Sequence, residues 1–345
     1  MISVKARCVD GPNEPFGSMQ VQRREPGPGD VLIDLAYTGI CHSDIEHVNS
    51  VRGHTMYPIV PGHEMVGIVS RVGQAVTRFK VGDRVGVGNM VQSCRKCENC
   101  EAGLEQYCTG GRVLTYNAID QSGQITYGGY SQKIVVDEHF VLRIPDGLSL
   151  CETAPLLCAG ITMYSSLIHW RAEKGTRVAI LGLGGLGHVG VQMSRALGAH
   201  TTVLERSDEK RGDAIRLGAD DFYISDDETV KTLSDRFDLI LSTVPVSVDL
   251  DPYMAMRRRD GTYVNLAVPN TALNISATTL LANRRSLSGS RSGGLVQTQE
   301  MLDFCALHGI ASQVEVIHAD NIDDAYRRLV IGDVRFRFVI DNTTI

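Results

Sequence analysis

Four cysteines, Cys94, Cys97, Cys100 and Cys108, follow one another at C-x2-C-x2-C-x7-C spacing. The stretch that carries the first three, Gln92 to Glu101, is polar and turn-rich and offers little apolar surface from which to build a core. Four thiolates this close in sequence can close a tetrahedron around Zn2+, which accepts soft sulfur ligands and imposes no geometry of its own. A site closed in this way has no open position, so it holds a fold and does no chemistry.

Gly182-Leu183-Gly184-Gly185-Leu186-Gly187 matches G-x-G-x-x-G directly after the apolar run Arg177 to Leu181 and directly before a helical stretch. In that setting the first glycine permits a tight turn, the second lets backbone approach a pyrophosphate, and the third lets helix pack on strand. A glycine-rich turn alone is common; a strand before it, a helix after it and an acid closing the next strand make it a dinucleotide fingerprint. That acid is Glu205, at the end of Thr201 to Glu205. A carboxylate there would bind both ribose hydroxyls and repel a 2′-phosphate, which leans toward NAD(H). Arg206, Ser207 and Lys210 point the other way, since they could grip that phosphate, and four solvated residues at a strand end is the plain alternative.

Cys41-His42-Ser43-Asp44, Gly62-His63-Glu64 and the distant Cys158 also carry groups able to bind metal, but no local spacing joins them. Taken alone, Cys158 reads as a small buried hydrophobe and His63 as a loop histidine with its hydrogen bonds satisfied.

These residues must be positioned by two different kinds of scaffold. From residue 1 to about 158, short β-type runs such as Val31 to Ala36, Gly67 to Val72 and Lys133 to Val136 are separated by Gly, Pro and Asp, which predicts a mostly antiparallel β domain. From Thr176 to about Val268 the rhythm changes to strand and helix in alternation. Arg177 to Leu181, Thr201 to Leu204, Phe237 to Leu241 and Thr262 to Leu266 read as strands, and Gly187 to Leu197 and Asp208 to Leu217 as helices. This is the pattern of a parallel, doubly wound sheet. The tail beyond about 294 predicts two amphipathic helices, Thr298 to His308 and Asn321 to Leu329, and a strand, Arg335 to Ile340. Too small to be a domain alone, it is expected to fold back onto the first.

With 345 residues the chain has room for about two domains, each with its own core. A net charge of -6 with both signs interspersed provides no basic stripe for nucleic acid and no polybasic membrane patch. No run approaches the roughly 20 apolar residues of a membrane span. The nine cysteines do not suit a secreted disulfide scaffold, which would be short, even in cysteine count and led by a signal peptide. A reducing cytoplasm is the expected compartment.

Together, Cys41-His42-Ser43-Asp44, Pro61-Gly62-His63-Glu64, the four-cysteine loop, Gly128-Gly129-Tyr130, Ala154 to Thr162, Gly182 to His188 and Arg335 to Asp341 resemble the zinc-dependent medium-chain alcohol dehydrogenases, in their cinnamyl alcohol dehydrogenase-like branch. The resemblance spans almost the whole chain. It implies an α/β architecture: a GroES-like, mostly β catalytic domain over 1–158 and 294–345 holding both zinc sites, and a Rossmann doubly wound parallel sheet domain over 159–293. It implies hydride transfer between a nicotinamide cofactor, NAD or NADP, and a zinc-bound alcohol or aldehyde. Cys41, His63 and Cys158 would be the catalytic zinc ligands, with Glu64 beside the metal, leaving a position for substrate oxygen. Asp44 would orient the ligand histidine and Ser43 would pass the substrate proton to the cofactor ribose. His42, Thr162, Thr243 and Ser290 would join the glycine loop in the cofactor site. Arg52, Asn89, Leu114, Arg291 and Ser292 fall at substrate-pocket positions. A homodimer, or a tetramer, is the implied assembly.

The chain also departs from its relatives. Glu46 stands where they carry the histidine that ends the proton relay, and His47 is displaced by one. Either Glu46, a weaker base with an ordinary pKa of about 4.3, replaces that histidine, or the proton comes from water. Arg52, Asn89 and Arg291-Ser292 replace apolar pocket residues, which suggests a substrate more polar than a cinnamyl aldehyde. Alternatively Arg52 lies on a rim and Arg291 touches cofactor phosphate. A specialised reductase of a biosynthetic intermediate and a non-catalytic zinc-ribbon binding protein are the competing functions.

Overall fold

The β-branched runs of the first third pair as the pattern predicts. In the computed structural model, which describes residues 1–51, 53–246, 249–269 and 271–345, Asp30–Gly39 is the central strand of a seven-stranded sheet. It runs antiparallel to Met65–Val72, to Lys133–Asp137 and to Arg337–Asp341. Arg84–Val87 and Leu142–Arg143 extend the sheet on the Met65–Val72 side. Val314–Ile317 closes the other edge, parallel to Arg337–Asp341. Period-2 burial places Val31, Ile33 and Leu35 in one apolar cluster with Val85, Val87, Ile134, Val136 and Phe140. A second cluster joins Val4, Ala6, Ile40, Ile45, Tyr130, Phe338 and Ile340.

The chain divides into two units, Met1–Cys158 with Gly293–Ile345, and Ala159–Ser292. The tail thus belongs to the first unit, where Arg337–Asp341 lies in the sheet beside Asp30–Gly39. That strand begins two residues later than the apolar pattern suggests, because the pairing starts at Val314 opposite Arg337. The four cysteines sit in a lobe between the short paired strands Met90–Gln92 and Val113–Leu114.

The second unit is a parallel six-stranded sheet in the order Asp221–Ile224, His200–Glu205, Arg177–Leu181, Phe237–Ser242, Arg257–Asn265, Ser286–Gly289. Numbered within the unit this is 3-2-1-4-5-6, the order of a dinucleotide-binding sheet. The order reverses between its first and fourth strands, and the first strand runs through the glycine loop into helix Gly187–Ala196. The helix expected over Asp208 to Leu217 is split into a 3-10 turn, Asp208–Lys210, and a helix, Arg211–Leu217. Ser286–Gly289 gave no sequence signal, since three of its four residues are Ser or Gly and it is an edge strand.

Candidate active site

Cys41 occupies the N-cap of helix His42–Val48, in extended conformation, and its backbone N–H donates to Asp44 Oδ2 at 2.9 Å. The same carboxylate, fully buried, accepts from His63 Nδ1 at 3.0 Å through Oδ1 and from the Gly62 amide at 3.3 Å. A helix cap therefore fixes a thiol and an imidazole at once. Because an ionised carboxylate only accepts, His63 keeps a proton on Nδ1 for Asp44, and Nε2 is the nitrogen that a metal would take in exchange for its proton. Burial alone would lower the His63 pKa, but the charge and hydrogen bond of Asp44 and the Cys41 thiolate outweigh it and hold it well above the ordinary histidine range.

Gly62 turns the chain at φ +103°, and a Cβ there would lie 2.6 Å from the Tyr130 ring. Next to it Glu64 is fully buried beneath Gly39, where a Cβ would come within 2.0 Å of Glu64 Oε2. Arg337 Nη2 donates to both Glu64 oxygens at 2.6 Å and to the Ile40 carbonyl at 2.9 Å. Burial pushes Glu64 up to about 7, with Arg337 pulling it back. Cys41 and Cys158 Sγ are 3.9 Å apart. The hydrogen bond from Cys158 favours the Cys41 thiolate and lowers its pKa well below the thiol range; Cys158 is correspondingly raised by Cys41 and by burial.

One donor atom from each of Cys41, His63, Glu64 and Cys158 lies within 4.8 Å of the others, and the same is true of Cys94, Cys97, Cys100 and Cys108. Two thiols, an imidazole and a carboxylate form the borderline-soft donor set that zinc takes, and four thiols form the closed set. In the lobe the sulfurs already face backbone donors. The Cys100 amide and the Thr109 hydroxyl and amide lower Cys97 to about 5, while burial raises Cys100 to about 11. The lobe is anchored by Glu105, 3% exposed, whose Oε2 accepts from the Leu295 amide at 3.0 Å.

In the second unit, Gly182 has φ +92°, and a Cβ on Gly187 would lie 2.0 Å from the Gly182 carbonyl oxygen. A Cβ on Gly184 would meet nothing within 4 Å, so no packing of the protein requires that glycine, and the space suits a ligand approaching the backbone. Thr243 Oγ1 donates to the Leu181 and Gly182 carbonyls, bracing the loop. Thr162 is buried in helix Ala159–His169. Ser290 is half-buried, its hydroxyl on the Arg291 carbonyl; Arg291 is exposed and Ser292 buried.

His42 and Ser43 are exposed at the first turn of their helix, with Ser43 Oγ 3.6 Å from Cys41 Sγ, and Glu46 and His47 are half-buried further along it. Asn89 and Leu114 lie close together, where Thr115 N–H donates to the Asn89 carbonyl, and both are half-buried. Arg52 lies outside the described residues. Two residues of this site escaped the sequence reading. Arg337 comes from the C-terminal strand, and Tyr116 places its ring centroid 5.9 Å from that of His63 and 5.2 Å from that of His47.

Glu205 Oε1 accepts from the Leu183 amide at 3.0 Å and its Oε2 from the Arg206 amide at 2.9 Å, while Lys210 Nζ donates to the Leu183 carbonyl.

Residues 27–146 match the family model of the alcohol dehydrogenase GroES-like domain, and residues 185–307 that of the zinc-binding dehydrogenases. The chain is 53% identical to the NADP-dependent alcohol dehydrogenase C 1 of Mycolicibacterium smegmatis, over 100% of this chain and 99% of that protein. Among solved structures it resembles a cinnamyl alcohol dehydrogenase from Sorghum bicolor, with TM-score 0.96, 39% identity and 99% and 98% of the two chains covered. It also resembles the CAD from Helicobacter pylori complexed with NADP(H), with TM-score 0.93, 39% identity and 99% of each chain covered. The expected lean toward NAD is overturned by these NADP relatives. The matches cover both units and the full length of curated relatives, and the chain belongs to the zinc-dependent medium-chain alcohol dehydrogenases, in their cinnamyl alcohol dehydrogenase-like branch.

Proposed function

We propose that this enzyme interconverts aldehydes and alcohols with NADP(H), at a zinc ion held by Cys41, His63 and Cys158 with Glu64 beside it, and that Cys94, Cys97, Cys100 and Cys108 hold a second, structural zinc. The observation that carries this reading is the convergence of those donor atoms within 4.8 Å in two separate groups, one made of four cysteines and one of mixed ligands. When bound, the first zinc supplies Lewis-acid polarisation of a carbonyl oxygen and the nicotinamide supplies the hydride. The chain's own residues do the rest. Arg337 draws the Glu64 carboxylate to itself, which favours three protein ligands and leaves a fourth position for substrate oxygen. Asp44 holds His63 with Nε2 forward. Ser43 stands by Cys41 as the hydroxyl that exchanges the substrate proton, with Glu46 on the same helix as the base beyond it.

For the cofactor, Arg206 and Ser207 are exposed at the end of the second strand and suit a 2′-phosphate, and NADP in the names of the relatives supports the same reading. Asn89 and Arg291 in place of apolar residues favour a polar aldehyde. The edge strand Ser286–Gly289 supports a homodimer, and nine free cysteines fit a reducing cytoplasm. Among the described residues no helix is long and apolar enough to cross a membrane.

Two measurements test this. Elemental analysis is expected to find about two zinc ions per chain. An initial-rate panel is expected to give much higher kcat/KM with NADPH than with NADH, and with polar than with cinnamyl aldehydes; preference for NADH or for cinnamaldehyde overturns the corresponding part.

A further inference from the structure

The fifth strand of the second unit, Arg257–Asn265, ends on a half-buried polar residue. Asparagine is disfavoured in strands, because its side chain competes for nearby backbone groups. Here it has taken one: Asn265 Nδ2 donates to the Ala267 carbonyl at 2.5 Å. Among the described residues no other donor reaches that carbonyl. The pairing along the sheet stops at this point, with the Leu266 N–H on the Ser242 carbonyl and the Ser290 N–H on the Asn265 carbonyl, and from Ala267 the chain leaves the sheet. The next two amides, Ala267 and Val268, donate to nothing among the described residues, and Pro269 has no N–H to give. Because a peptide unit is planar, holding the Ala267 carbonyl also fixes the direction of the Val268 N–H. One side chain thus sets a turn whose own backbone leaves it untied.

The place of this turn gives it a role. In a sheet of order 3-2-1-4-5-6 a dinucleotide lies across the strand ends, where the order reverses between strands one and four. The glycine loop after strand one takes the pyrophosphate, and Glu205 and Arg206 at the end of strand two stand on the adenosine side. The ends of strands four to six are left for the second nucleotide. We propose that Asn265 is a positioning residue for the nicotinamide half of the coenzyme: by holding the Ala267 carbonyl it fixes the turn 266–269 in the shape that receives that half. The fold places two free backbone donors there, and the Asn265 side chain decides how the peptide between them is turned.

The inference rests on the coenzyme reading above, though not on the choice between NADP and NAD. Isothermal titration calorimetry compares the whole coenzymes NADPH and NADH with their adenosine halves, adenosine 2′,5′-bisphosphate and ADP. The wild-type enzyme is set against Asn265→Asp, which keeps the shape of the side chain and puts an acceptor where the donor was. The whole coenzyme is expected to bind the variant about tenfold more weakly, as loss of one orienting hydrogen bond would give, while its adenosine half keeps the wild-type Kd. Equal weakening of whole and half is what a merely structural role produces, and it overturns the proposal, as do unchanged affinities. Tighter wild-type binding of NADH and ADP than of their phosphorylated counterparts sinks the NADP reading alone, and Asn265 is then judged on the NADH pair. A wild-type enzyme that binds none of these compounds sinks both. Should Asn265→Asp not fold, Asn265→Ser draws the side chain back from the carbonyl without adding charge; the same contrast between whole and half is expected, and its absence overturns the proposal equally.

Discussion

Arg337 and Arg257 are both buried, and what faces each differs. Arg337 donates to the Glu64 carboxylate, whereas Arg257, wholly buried, meets only the carbonyls of Met254, Gly261 and Ser286, and its Nη2 finds no acceptor among the described residues. Burial and the nearby Arg285 charge lower Arg257 to about 10. Arg337→Met strands a buried carboxylate and is expected to cost about 3–5 kcal/mol in urea unfolding, whereas Arg257→Met removes an unbalanced charge and is expected to leave stability equal or raised by ~1–3 kcal/mol. At the cofactor end, Arg206→Ala is expected to raise KM for NADPH about 10–100-fold, as loss of a charge-assisted hydrogen bond would, with KM for NADH unchanged. Chemistry at this scale is legible where it is local. The four cysteines lie within one loop and announced themselves, but Cys41, His63 and Cys158 needed a family resemblance to be joined. Arg337 stands 273 residues from the carboxylate it pairs with, and its charge reads as any surface arginine until the strand is placed.

Elements decide which of these residues can be changed without loss of fold. The glycine loop makes the distinction sharply. Gly187→Ala would drive a methyl into the Gly182 carbonyl, and a large fall in Tm is expected. Gly184→Ala meets only open space in the protein, so Tm is expected to hold while NADPH binding weakens by ~1–3 kcal/mol from overpacking, about tenfold or more in Kd. The cysteine lobe is held to helix Leu295–His308 by Glu105. Burial works to raise the Glu105 pKa, yet His139 and the backbone amides of Glu105 and Leu295 outweigh it and hold it below the ordinary value. A depressed carboxylate adds stability above its unfolded pKa of about 4.3, and that stability is lost as pH falls through the lower folded value. Hydrogen exchange over residues 92–113 is therefore expected to quicken below about pH 4 in the wild type. In Glu105→Gln it is expected to be faster already at neutral pH, by about 2 kcal/mol, with less further change on acidification. The strongly periodic strands and helices were readable from the pattern. The edge strands Ser286–Gly289 and Asp221–Ile224 were not: the first is mostly Ser and Gly, and the second is only four residues long, too short for a period to show.

For the whole molecule, the relevant fact is that one unit is continuous in sequence and the other is not. Residues 159–292 form a complete sheet with its own core around Ala179, Leu181, Ile240 and Tyr263. Expressed alone, that fragment is expected to unfold cooperatively and to bind NADPH in a fluorescence titration, whereas a chain ending at residue 292 is expected to retain less than the full zinc complement, lacking Arg337 and the strand beside Asp30–Gly39. The sequence rhythm marks the first crossing, where β runs give way to strand and helix alternation, but the tail reads as two helices and one strand and is joined to the first part only because it is too small to stand alone. During synthesis domains fold as they emerge. The sheet begun near the N-terminus must wait for Arg337–Asp341, so the coenzyme unit can mature while the metal unit is still missing a strand. A nascent chain released before that strand is expected to hold coenzyme without turning over aldehyde, so the order of emergence separates cofactor binding from catalysis in time.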